Sequence, residues 1–241
     1  MAMVEIKGLT KRYKTVEALR GLDMTLEKGE VYGFCGPNGA GKTTTLKILV
    51  GLVGPTGGTA SMMGLDVVKD GVEARKNTGY LPELYGLPGW DTPRTFLTYM
   101  GVLSGIPEDG LGAIIEKKAE ELGFPQNLDR KIKTLSKGNK QKVGIAQALL
   151  HDPAILLLDE PTTGLDPIGR NEVLGAVKTL ANAGKTVLFS THILSDVDKI
   201  CDRVGIVYEG RMMEEGAPAE LKGKHQVGDL DAVFLKVAKH G

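Results

Sequence analysis

Residues 36–44 read Gly36-Pro37-Asn38-Gly39-Ala40-Gly41-Lys42-Thr43-Thr44. The spacing G-x-x-x-x-G-K-[ST] is that of a phosphate-binding P-loop. Glycines admit positive φ and let backbone approach a polyphosphate with no Cβ in the way. Successive N–H groups then form an anion-binding nest. A helix that follows points its unpaired N–H groups and positive dipole end at the same phosphates. Lys42 adds a full positive charge, and the Thr43 hydroxyl is a hard oxygen ligand for Mg²⁺. A second chemical centre is Asp159-Glu160, at the end of the apolar run Leu156-Leu157-Leu158. Asp159 suits an Mg²⁺ held through water, and Glu160 suits polarising an attacking water. A third stretch is Leu135-Ser136-Lys137-Gly138-Asn139. Ser136 reads as a helix N-cap whose following N–H groups can bind an anion. In isolation that stretch is a capped helix and nothing more.

These groups need rigid supports. Val31-Tyr32-Gly33-Phe34-Cys35 is a short apolar run that predicts a buried strand, and Leu46, Ile48, Leu49 and Val50 predict a helix over 44–50. Strand, glycine loop and helix are the context a P-loop requires. Upstream, residues 4–9 alternate, and so do Leu22, Met24 and Leu26. The chain therefore opens with a small antiparallel β region, with Tyr13 in the loop between its strands. Short strands are predicted over 59–62 and 78–82. From 92 to about 150 the period turns helical, with Phe96, Leu97 and Met100, then Ile114, Ile115 and Ala119, then Val143, Ala146 and Leu149. Strands are predicted again over 154–158, 186–189 and 204–208, with helices from Pro167 and over 193–200 and 229–239. Near-continuous apolar strands alternating with helices imply a mostly parallel sheet covered on both faces. The expected fold class is α/β, with sheet lobes over about 1–84 and 154–241 and a helical subdomain inserted over about 85–153.

Charge and composition narrow the function classes. Thirty basic and thirty acidic residues cancel, so no global excess points to nucleic acid and no polybasic tail to a lipid surface. No apolar run approaches the roughly 20 residues of a membrane helix, and the first residues lack a signal-peptide core. Cys35 and Cys201 have no metal-ligand spacing and read as free thiols suited to a reducing cytosol.

In their order along the chain, these stretches resemble the ATP-binding subunits of ATP-binding-cassette (ABC) transporters from end to end. Residues 36–43 resemble the Walker A motif. Residues 156–159 resemble Walker B, with Glu160 as the catalytic carboxylate. Residues 135–139 resemble the signature usually written L-S-G-G-Q. Gly164-Leu165-Asp166 resembles the D-loop, Thr191-His192 the histidine switch, and Tyr13 the aromatic residue that stacks on adenine. The resemblance implies a P-loop NTPase of ABC type in one domain over 1–241, with ATP and Mg²⁺ as cofactors. It implies catalytic roles for Lys42, Glu160 and His192. Tyr13, Ala18 and residues 36–44 would hold ATP, and Thr43, Asp159 and Glu83 would hold the metal. It also implies a head-to-tail pair of subunits that closes over two ATP molecules. Ser136, Lys137, Gly138 and Asn139 would then reach the ATP of the other subunit, and Asp166 would be the D-loop residue. The implied partners are a membrane permease and a second nucleotide-binding subunit, identical or not, with no nucleic acid. The implied location is the cytoplasmic face of the membrane.

Several positions depart from the family pattern. Lys137 stands where the signature has glycine and Asn139 where it has glutamine, while Ser136 and Gly138 are kept. Glu83, in Gly79-Tyr80-Leu81-Pro82-Glu83, stands where many members carry glutamine, and Gln147 where arginine is usual. Glu83, the Ser-Lys-Gly signature and the short tail resemble the subgroup that powers ABC-2-type exporters. The region 83–103, with Tyr85, Leu87, Trp90 and Phe96, is where the family docks its membrane partner. Two rival readings carry less. A ribosome- or DNA-acting ABC ATPase has two cassettes or a long coiled coil, and a P-loop kinase of small molecules needs neither Ser136-Lys137-Gly138 nor Thr191-His192.

Overall fold

The computed structural model describes residues 2–238. A six-stranded sheet carries the site. In chain order its strands are β3 (Val31–Cys35), β6 (Thr78–Leu81), β7 (Ile155–Asp159), β8 (Thr186–Thr191), β9 (Arg203–Tyr208) and β10 (Arg211–Gly216). Their spatial order is β10-β9-β3-β8-β7-β6, parallel throughout except for the β9–β10 hairpin. A second, antiparallel sheet is made of β1 (Ala2–Tyr13), β2 (Val16–Glu27), β4 (Gly57–Met62) and β5 (Leu65–Asp66), in the order β2-β1-β4-β5.

The continuous apolar run of β7 is explained by cores on both sides of it. Ile155 and Leu157 face a cluster shared with Val4, Ile6 and Leu22 of the antiparallel sheet and with Leu46 and Leu49 of α1 (Lys42–Leu49). Leu156 and Leu158 face the other way, into a cluster with Phe189 and with helices α5 (Lys137–Ala148), α6 (Pro167–Asn182) and α7 (Leu194–Ile200). Each such buried Leu or Ile contributes about 1.5–3 kcal/mol. The second cluster extends without a break into Leu97 of α3 (Pro93–Leu103) and Ile115 of α4 (Leu111–Glu121). The helical segment is thus packed on the sheet through α5, whose Val143 and Ile145 are fully buried.

Some elements fall outside the sequence expectation. Tyr13 is not in a loop: it closes β1, paired with Val16 across a two-residue turn in which Lys14 has φ 49°. Helices α2 (Gly71–Lys76) and α8 (Pro218–His225) and strands β5 and β10 were not predicted. The last helix, α9, spans Leu230–Val237, and residue 239 of the expected 229–239 lies outside the described residues.

Candidate functional site

The carboxyl ends of β3, β7 and β8 meet at one edge, with Cys35 paired to Thr191 and Asp159 paired to Ser190. Open α/β sheets bind ligands at this edge. The chain leaves β3 and turns at once. Gly36 N–H donates to the Thr191 carbonyl at 3.3 Å, and a Cβ on Gly36 would collide with the Val207 carbonyl. Gly39 and Gly41 have φ of 83° and 105°. Gly41 is the N-cap of α1, with no side-chain cap and no acid in the first turn, so the first N–H groups face the loop's concavity. Lys42 Nζ donates to the carbonyls of Gly36 at 2.6 Å and Pro37 at 3.2 Å, and lies 3.2 Å from Glu160 Oε1.

Beside the loop stand the two acids. Ser190 Oγ donates to Asp159 Oδ1 at 2.6 Å, and Thr43 Oγ1 donates to the same oxygen at 3.2 Å. Asp159 is fully buried, and its Oδ2 meets no hydrogen-bond donor among the described residues. Burial pushes its pKa up. The Ser190 and Thr43 hydrogen bonds oppose that, while the neighbouring Glu160 charge adds to it. Glu160 follows with φ 51°, its N–H donating to Ser190 Oγ at 3.1 Å. Glu160 Oε2 accepts from the Thr163 hydroxyl at 2.7 Å and stands 2.8 Å from His192 Nδ1. Its Oε1 is buried, and its contact with Lys42 is a charge pair without hydrogen-bond alignment.

A cleft of about 340 Å³ opens over this arrangement. It is lined by Tyr13, Val16 and Ala18 from the antiparallel sheet, by Asn38, Gly39 and residues 41–44, and by Glu83 and Glu160. Tyr13 is 41% exposed, and Lys11 Nζ stands over its ring, 4.9 Å from the centroid. Pro37 and His192 line a neighbouring cleft with Phe234 of α9. The signature residues are not brought to the P-loop. Ser136 caps α5, its Oγ accepting from Asn139 N–H at 3.2 Å. Lys137 lines a neighbouring groove with Tyr85 and Lys133, which shares Glu83 with the P-loop cleft. Asp166 caps α6, its Oδ1 accepting from Gly169 N–H at 2.7 Å. A Cβ on Gly138 would lie 3.3 Å from Gly169 Cα, so the signature packs on the start of α6.

Residues 19–163, more than half of the chain, match the family described as ABC transporter. The chain belongs to this ABC transporter ATP-binding family. The ABC transporter ATP-binding protein NatA of Bacillus subtilis is 36% identical over 244 residues, covering 99% of both chains. The Nod factor export ATP-binding protein I of Burkholderia lata is 38% identical over 221 residues, covering 92% of this chain and 73% of its own. A solved ATP-binding subunit of an ABC transporter superposes with a TM-score of 0.84 at 28% identity, covering 98% of this chain and 99% of that one. The cbiO1 protein of Clostridium perfringens, part of the ABC transporter complex cbiONQ, superposes with a TM-score of 0.83 at 27% identity, covering 92% of this chain and 91% of its own.

The ABC subunit binds ATP and hydrolyses it to power transport, and four residues in its site were not singled out from sequence. Val16 lines the cleft, Ser190 joins both acids, Thr163 holds Glu160, and Tyr80 buries an unpartnered hydroxyl whose pKa is raised by burial and by Asp159 and Glu83. Thr163 was legible as a hydroxyl three residues after Glu160 in a turn. Ser190 had no local signal, because only the β7–β8 register brings it to Asp159.

Proposed function

We propose that this subunit powers an exporter of the ABC-2 type from the cytoplasmic face of a membrane, as one of two nucleotide-binding subunits that close around ATP. One observation carries the paired mechanism: Lys42, Glu160 and His192 meet at the P-loop, while Ser136–Asn139 begins α5 away from that cleft. A phosphate anchored at the P-loop then needs its second wall from another chain. Export is supported by the similarity to the Nod factor export protein. No helix among the described residues is long and apolar enough to cross a membrane; in this reading a permease provides the path for cargo, as cbiO1 is part of the transporter complex cbiONQ. The groove lined by Glu83, Tyr85 and Leu87, beside the exposed Leu84 and Trp90, is the surface offered to that permease.

The residues also fit Mg²⁺. Thr43 and Asp159 supply oxygen donors, and the buried Asp159 Oδ2 is left over for a cation or its water. Glu83 reaches the same cleft. No group of three or more acidic, His or Cys ligands exists among the described residues, so Thr43 and Asp159 would hold such an ion only together with phosphate oxygens and water. When bound, the ion neutralises charge on the phosphates. Lys42 and the N-terminus of α1 bind the phosphates, Tyr13 stacks on the base, and Glu160 orients water and takes its proton. His192 and Thr163 fix the Glu160 carboxylate. A Glu160→Gln variant traps ATP in the seam, so gel filtration with ATP is expected to show a dimer that wild-type protein does not hold. A variant that stays monomeric at saturating ATP overturns the paired mechanism.

A further inference from the structure

Asp196 lies in the first turn of α7, four residues after His192, and is fully buried. Its Oδ2 accepts from the Thr162 hydroxyl at 2.8 Å, while its Oδ1 has no partner among the described residues. The cation facing it is Arg170, whose Nε stands 3.9 Å from Oδ2, beyond hydrogen-bond range, and is itself buried with no hydrogen-bond partner among the described residues. Burying a carboxylate is costly unless it is paired and hydrogen-bonded. A merely space-filling role would be met by an apolar residue.

Three parts of the site meet at this carboxylate. Thr162 belongs to the turn after Glu160, beside Thr163, whose hydroxyl donates to Glu160 Oε2. Asp196 N–H donates to the carbonyl of Ile193, the neighbour of His192, at 3.1 Å. Arg170 is in the first turn of α6, its N–H donating to the carbonyl of the D-loop residue Asp166 at 2.9 Å. A shift of α6 of about 1 Å, the size of ordinary helix movements, turns the long contact into an aligned charge-assisted pair.

We propose that Arg170 and Asp196 are positioning residues for ATP hydrolysis, a latch that tightens when α6 moves and that sets Glu160 against His192 through Thr162 and the start of α7. The inference concerns hydrolysis itself and does not depend on what is exported. The test uses the purified full chain. Arg170→Lys keeps the charge but loses the planar fork. It is expected to lower kcat about ten- to a hundredfold, the loss that goes with about 1 Å of misplacement, with KM for ATP and Tm unchanged. Hydrogen exchange is expected to quicken in 160–166 and 191–197 together. The neutral double variant R170M/D196N is expected to keep wild-type Tm while its kcat is low. Wild-type kcat in the double variant makes the pair structural only and overturns the proposal. So does wild-type kcat in Arg170→Lys, a loss confined to KM, or an exchange change confined to α6. Arg170→Lys decides the question if the double variant does not fold.

Discussion

Asp159 buries an oxygen, Oδ2, that meets no donor among the described residues, while Oδ1 takes hydrogen bonds from both Ser190 and Thr43. Its folded pKa is raised, chiefly by burial. The folded chain therefore takes up this proton at a higher pH than the unfolded chain does. The charged carboxylate works against folding above its folded pKa, and that penalty is gone below the unfolded value of about 4. Asp159→Asn is accordingly expected to stabilise the protein at neutral pH by about 1–2 kcal/mol, the scale of an uncompensated buried polar group. The gain should vanish as pH falls through the carboxylate range, and ATP hydrolysis should be lost. Urea unfolding at several pH values reads the first effect, and a variant less stable at neutral pH than wild type contradicts it. At this scale the acids were legible in the sequence because the apolar run ending in Asp159-Glu160 stands in the same chain as a P-loop, which turns a common strand ending into half of a nucleotide site. Ser190 was not, because an ordinary hydroxyl becomes functional only through register.

Between β3 and α1, glycines serve two different physical needs. Gly41 combines φ 105° with crowding, since a Cβ there would sit 2.6 Å from the Ala18 carbonyl oxygen and 2.7 Å from Leu19 Cδ2. Gly39 has φ 83° with open space around it. Gly41→Ala is expected to cost clearly more stability than Gly39→Ala, which pays only the backbone term of about 1–3 kcal/mol, because backbone oxygen cannot give way as a flexible side chain can. Thermal unfolding of the two variants side by side checks this, and equal losses would remove crowding from the account. The strand–loop–helix unit was readable because all its signals are local. Strand β1 was cut short in the sequence reading because its pairing shifts register near Gly8, which has φ 54°, and the alternation of Val4, Ile6 and Leu9 loses phase. Strand β10 was missed because Arg211-Met212-Met213-Glu214-Glu215 is an edge segment with little apolar pattern. What fixes it is the two-residue turn Glu209-Gly210, with φ of 45° and 78° at its two positions, a geometry suited to a tight hairpin.

For the whole molecule, the separation of Ser136 from the P-loop cleft makes a prediction that no single-chain site would share. Lys42→Ala removes the phosphate cation from the P-loop. Ser136→Asp keeps an equally good N-cap for α5 but, in the proposed pair, puts a negative charge where the phosphate of the other subunit would bind. A pair built only from either variant carries the lesion in both of its sites, so each protein alone is expected to be inactive. A mixed pair distributes the lesions unevenly. One site combines the damaged P-loop with the damaged signature, and the other combines the intact P-loop of one chain with the intact signature of the other. An equal mixture that exchanges freely is half mixed pairs, so about a quarter of wild-type ATPase activity should return if the two sites work independently in a two-fold pair. Cooperativity between sites would lower that fraction without abolishing it. Were both motifs to serve the same chain's ATP, no arrangement of the two variants would contain an intact site. The mixture would then stay as inactive as its components, and the P-loop would have to find its second wall within its own subunit.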